Sequence, residues 1–199
     1  MEKKTLNGRY IGIDYSLTSP AVCICPKGRI WDSTQVRLFF WTNKKKMVGG
    51  FWKDRITGIL IPDYYNDDER FLQNAQSIAN VIQPTEKDTI YLEGYAYGAQ
   101  GMRIFQIGEA TGILKTLLIL EKSNSLNKNV AIERPAPTKV KKFATGKGNA
   151  AKQMMVEAFC NDADCDIMKE LDKKSIISPV DDLVDAYWIC KLAYKENEP

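Results

Sequence analysis

Arg9-Tyr10-Ile11-Gly12-Ile13-Asp14 is a short apolar run that stops on an acid. A second run, Ala21-Val22-Cys23-Ile24-Cys25, follows it, and Pro26-Lys27-Gly28 is a turn signal leading on to a third strand. Val36 to Trp41 is apolar and aromatic enough to be a further strand, and Asn43 to Lys46 with Gly49-Gly50 reads as an exposed loop. Asn66 and Glu69 have the spacing of a capping box. Phe71, Ala75, Ile78 and Ile82 then recur at helical intervals until Pro84 stops them. Thr89-Ile90-Tyr91-Leu92-Glu93 is another strand ending on an acid; Ile104 to Lys122 is a long helix bearing Ile107, Leu114, Leu117 and Leu118. Asn129 to Glu133 reads as a strand, Asn149 to Phe159 as a helix capped by Asn149, and Pro179 opens a last helix running to about Tyr194. Strands that meander and then alternate with helices imply an α/β fold with a mixed central sheet and flanking helices. A length of 199 residues suits one domain, 1–199.

Histidine is absent, which excludes a Ser-His-Asp triad, a Cys-His pair and His-ligated zinc within the chain. Hydrolysis would fall to carboxylates, lysines or a cation-activated water. The five cysteines, Cys23, Cys25, Cys160, Cys165 and Cys190, are an odd number. With no apolar leader and no run of about 20 apolar residues, they suit reduced thiols in a cytoplasm, with no membrane partner. Zinc held by Cys23, Cys25, Cys160 and Cys165 is an alternative use, although neither pair has the usual two-residue spacing.

Asp14 and Glu93 stand where strands give way to loops, the edge at which ligands gather in open α/β sheets; the plainer reading of each is a solvated turn residue. Asp182 and Asp185 lie three apart, on one helix face that continues through Ile189 and Leu192. Two like charges beside aliphatic side chains are costly unless a cation neutralises them. Asp181 and Asp182 would also favour the positive helix N-terminus, which explains Asp182 but leaves Asp185 unexplained. Either Asp181 or Asp182 could serve beside Asp185. Four carboxylates without histidine suit hard divalent cations, Mg2+ with Mn2+ as a substitute; two such ions about 3.5–4 Å apart can clamp an in-line phosphoryl displacement.

Arg134, Lys139, Lys141, Lys142, Lys147 and Lys152 form a basic stretch with no acid among them. Gly146-Lys147-Gly148 leads into a helix start, where free N–H groups and the helix dipole favour a phosphate; a solvated lysine face is the alternative. Tyr95 and Tyr97, in the glycine-rich loop after Glu93, could stack on an unpaired base or pack locally.

In their order, Ile11 to Ser16, Leu92 to Tyr95, Ile107-Gly108-Glu109-Ala110-Thr111-Gly112-Ile113, the lysine-rich segment, and Asp182-Leu183-Val184-Asp185-Ala186 resemble the RuvC Holliday junction resolvases, in the style of phage-encoded members. The resemblance spans most of the chain and is weakest over Ile30 to Asp68. It implies a ribonuclease H-like fold and a metal-dependent endonuclease that resolves four-way junctions by symmetric nicks. It further implies magnesium on Asp14, Glu93, Asp182 and Asp185, DNA-contacting lysines at Lys141 and Lys152, and a homodimer working in the cytoplasm, the host's if the gene is a phage's. Gly108 and Gly112 could let a helix approach a neighbouring chain, or pack on the sheet of their own. Other readings are a ribonuclease H-like nuclease for flaps, other branched DNA or RNA–DNA hybrids, a non-catalytic DNA-binding scaffold, and a fragment of an actin-like ATPase. The last fits Gly12 to Thr18 but lacks a second phosphate loop.

Overall fold

The computed structural model describes residues 8–28, 30–95, 102–122 and 132–197. Strands β1 (Arg9–Asp14), β2 (Ala21–Pro26), β3 (Arg37–Thr42), β4 (Gly49–Phe51), β5 (Ile56–Leu60), β6 (Thr89–Leu92) and β7 (Ile132–Glu133) form one mixed sheet. Its order is β4-β5-β3-β2-β1-β6-β7. β1, β2 and β3 pair antiparallel as a meander, and β6 and β7 join β1 in parallel.

Alternation of side chains along the strands divides the core in two. Ile11, Ile13, Val22 and Ile24 face α1 (Asp67–Ile82) and α2 (Met102–Lys122). Tyr10, Cys23, Cys25, Leu38 and Phe40 face the other side, covered by α3 (Pro137–Thr145), α4 (Lys152–Ala163), the short α5 (Ile167–Glu170) and α6 (Val180–Asn197). Gly12 explains how closely α6 sits: a Cβ there would lie 2.2 Å from the Cys190 nitrogen and 2.4 Å from the Ala186 oxygen. Backbone meets backbone because β1 has no side chain at that point, and the first turn of α6 is thereby set beside the end of β1.

The helix beginning at Asp67 is capped as its spacing predicts. Asn66 Oδ1 accepts from the Glu69 N–H at 2.8 Å, while Glu69 Oε2 reaches back to the Tyr65 N–H at 2.7 Å rather than to the cap residue. Two expectations need correction, and one helix stands where none was expected. Gly49-Gly50 lies in a strand, β4, which returns through Trp52, Lys53 and Asp54, all with positive φ, to pair with β5. Arg55 secures that turn by stacking 3.6 Å over the Trp52 ring. The basic stretch contains a helix of its own, α3, with Pro137 at its start and Gly146 closing it in the left-handed conformation. Finally, α4 starts at Lys152 behind Ala151, with no side-chain cap, so Asn149 lies outside it. Of the strand expected from Asn129 to Glu133, Ile132 and Glu133 are in β7 and the rest falls outside the described residues. No helix among the described residues is long and apolar enough to cross a membrane.

Candidate active site

Asp14 closes β1 and Glu93 follows β6, its parallel neighbour, so both acids emerge at one sheet edge. The Glu93 N–H donates to the Ile13 oxygen at 2.9 Å, which extends the pairing up to the acid itself. The next residue, Gly94, donates to the Pro135 oxygen at 2.9 Å. A Cβ on it would stand 2.8 Å from that oxygen, so the chain entering α3 closes directly over the site. Asp182 and Asp185 arrive from the first turns of α6, which Gly12 admits against β1.

These four carboxyls act on one another. Burial holds the Asp14 carboxyl well above the ordinary carboxylate range, and the charges of Glu93, Asp185 and Asp182 raise it further. Hydrogen bonding between the Asp14 and Glu93 carboxyls adds to the rise at Asp14 and opposes it at Glu93. Burial raises Glu93 too, against the opposing charge of Lys141. Asp185 is pushed up to about 7, by burial first and then by Glu93. Asp182 is raised chiefly by burial, then by Asp181, although hydrogen bonds from Ser178 and Ser19 favour its charged form. Ser19 Oγ donates to Asp182 Oδ2 at 2.9 Å and itself accepts from Ser178 Oγ. Sequence reasoning missed both serines, because nothing in their local patterns points at a residue some 160 positions away.

Asp181 and Asp182 part company here. Asp181 is ion-paired with Lys152, whereas Asp182 is the one whose charge reaches Asp14. The basic residues divide in the same way. Lys141 lines a small cavity with Lys152, Asp181 and Asp185, and its charge is felt at both Glu93 and Asp185. Lys139 is engaged elsewhere, 2.6 Å from Glu196. Lys142 and Lys147 are exposed and form no ion pair with a described residue. Tyr95 is 52% exposed, with the Arg134 guanidinium 4.0 Å over one face of its ring; Tyr97 lies outside the described residues.

A divalent cation fits the chemistry of this donor set: four oxygen-bearing acids, half-buried or buried, with Lys141 and Lys152 as the cations whose charges bear on them and the Asp181 Oδ1 oxygen buried without a hydrogen-bond partner. Among the described residues no three acids or thiols converge as a ready-made cage, so the carboxyls would have to turn toward an incoming ion. The alternative of a four-cysteine zinc site is not formed. All five thiols are free, Cys23 and Cys25 are packed beneath α6, and burial pushes Cys25 and Cys165 up to about 12.

A pH dependence follows. A carboxyl raised in the folded chain binds its proton there more readily than in the unfolded one, so metal-free stability should fall as pH rises from about 4 to about 7. Asp185, half-buried and raised to about 7, puts this loss at roughly 2–4 kcal/mol. Thermal unfolding in chelator should therefore give a lower midpoint at pH 8 than at pH 5, and magnesium should restore more stability at pH 8. A midpoint that rises through this interval would show that the acids are not crowded.

No protein-family model matches the chain, and no curated protein matches it in sequence. Solved structures do match in fold. RuvC from Thermus thermophilus superposes with a TM-score of 0.52 at 16% identity, covering 94% of both chains. T. thermophilus RuvC in complex with Holliday junction substrate gives 0.57 at 14% identity over 93% of both. The yeast mitochondrial Holliday junction resolvase Ydc2 gives 0.54 at 14% identity, over 96% of this chain and 84% of that one. Over nearly its whole length, the chain therefore has the ribonuclease H-like fold of the RuvC-type resolvases.

Proposed function

We propose that the chain is a magnesium-dependent endonuclease that resolves four-way DNA junctions by phosphodiester hydrolysis. The observation that carries this reading is the meeting of Asp14, Glu93, Asp182 and Asp185 at one end of the sheet, with the lysine-bearing α3 beside them. Likeness of fold to the yeast Holliday junction resolvase Ydc2, and to RuvC in complex with Holliday junction substrate, supports the choice of substrate.

Asp14, Glu93, Asp182 and Asp185 are the residues that would hold Mg2+ or Mn2+, and such ions supply the positive charge that polarises a phosphodiester and activates water. Ser19 donates to Asp182 and opposes its protonation, and Lys141 opposes the protonation of Glu93 and Asp185, so both favour the acids' charged forms for a cation. Lys141, Lys142, Lys147 and Lys152 give the approaching phosphate backbone a positive wall, Lys152 at the cost of its pairing with Asp181. The free face of Tyr95 offers a stacking platform for a base unpaired at the crossover. Replacing Lys141 by alanine should weaken junction binding and lower the slope of log affinity against log salt by about one. It should also raise the cation concentration needed for cleavage; an unchanged salt slope would take Lys141 off the DNA path.

The same reading includes a homodimer built on α2. Gly108 and Gly112 face open space, with nothing within 4 Å of a Cβ on either, so they are not packing on their own sheet. Phe105 is 65% exposed beside them, and Leu72, Ile113 and Leu117 line an adjoining apolar groove. Gly112→Arg should leave the fold intact and convert a dimer to a monomer in analytical ultracentrifugation, abolishing paired cuts. A wild-type chain that sediments as a monomer would exclude this interface. The free thiols accord with a cytoplasmic setting.

The direct test is a panel of labelled four-way junction, flap, duplex and RNA–DNA hybrid with magnesium or manganese. Symmetric nicks confined to the junction are expected. Preferential cutting of hybrid or flap would move the substrate assignment, and no cutting at all would leave a DNA-binding scaffold.

A further inference from the structure

The resemblance in motifs is weakest over the segment from Ile30 to Asp68, yet this segment places a second basic surface next to the acids. The short 3-10 turn after β3 carries Lys44, Lys45 and Lys46, all exposed. Lys173, from the loop before α6, comes to the same place: after burial, the charges of Lys44 and Lys46 hold its ammonium below the ordinary pKa, with Asp172 opposing. None of the four makes an ion pair with a described residue. Like charges brought together without partners are unfavourable unless an anion is to meet them.

Between this surface and the acids lies an open cavity of about 190 Å³, lined by Thr18, Ser19, Thr42, Asn43, Lys44 and Ser178, among others. Its wall offers hydroxyls, an amide and an ammonium, and no carboxylate. Ser19 connects it to the site in one step, because the same hydroxyl that lines the cavity donates to Asp182. The cavity is distinct from the one lined by Lys141, Lys152, Asp181 and Asp185, so lysines line two separate cavities beside the acids.

We propose that the Ser19–Lys44–Ser178 cavity seats a phosphate flanking the scissile one, and that Lys44, Lys46 and Lys173 lead the same DNA strand away from the site. The inference rests on the nuclease reading above and adds a path to it: the strand enters over α3, crosses the carboxylates and leaves over the β3–β4 turn.

The test uses the full-length chain with Lys44, Lys46 and Lys173 all changed to alanine, the matching triple arginine variant, and Lys141→Ala as a reference. Circular dichroism and the melting temperature should match wild type. The alanine variant should bind a four-way junction about tenfold or more weakly at roughly 0.15 M salt, with a salt slope smaller by about two to three. The arginine variant should restore both. Unchanged affinity and slope in the alanine variant, while Lys141→Ala lowers them, would overturn this path alone. Failure of the wild-type chain to bind or cut any branched DNA would overturn the path together with the nuclease reading.

Discussion

Changing Asp14 to asparagine should lower junction cleavage by about a thousandfold or more, equivalent to several kcal/mol of transition-state stabilisation, and leave junction binding nearly unchanged. The geometry explains the asymmetry. Asp14 is 7% exposed and surrounded by three other acids, so it has no reach to DNA but bears directly on any cation the acids share. The amide cannot ionise, so it escapes the burial and the charges of Glu93, Asp185 and Asp182 that oppose ionisation of Asp14, and the metal-free variant should melt at or above the wild-type temperature. Asp185→Asn and Glu93→Gln should behave alike. Asp181→Asn should retain most activity, because Asp181 is committed to Lys152. Single-turnover cleavage and gel-shift binding on the same preparations separate the two effects. Wild-type cleavage by the Asp14 variant would remove that residue from the site.

The second large effect should come from a residue with no functional group. Gly12→Ala drives a methyl into the backbone of α6, at 2.2 Å from the Cys190 nitrogen and 2.4 Å from the Ala186 oxygen. Neither atom belongs to a side chain that can swing away, so the helix must lift or the strand must bend. Overpacking of this kind costs about 3 kcal/mol, which lowers the melting temperature of a chain this size by roughly 6–12 °C. Because α6 brings Asp182 and Asp185 to Asp14, the lift should also weaken cation binding, and added magnesium should rescue less of the lost stability than in wild type. An alanine variant that melts like wild type would mean that α6 and β1 are not in the close contact described.

Much of this arrangement was legible before any coordinates. β1, β2, β3, β6 and the three long helices follow from period-2 and period-3.6 patterning, and the acids at the ends of β1 and β6 stood out because an apolar run stopped on a charge. Asp185 stood out for the opposite reason, as a charge on a face that should be apolar. What escaped notice has physical causes. β4 is three residues long and begins with two glycines, so propensity argues against it, and only its pairing with β5 makes it a strand. α3 lay hidden in a lysine run because charge dominates its composition, although Pro137 and Gly146 bracket it in the usual way. The split between Asp181 and Asp182, and the support from Ser19, depend on contacts across the fold that no local pattern encodes.

The central claim is that Asp14, Glu93, Asp182 and Asp185 together hold divalent cations. Crystals soaked in manganese and measured at its absorption edge test this directly. The account predicts an anomalous peak bounded by these four side chains, lost in the Asp14→Asn variant. A peak held by other residues, or none in crystals of a chain that still cuts junctions, would contradict it.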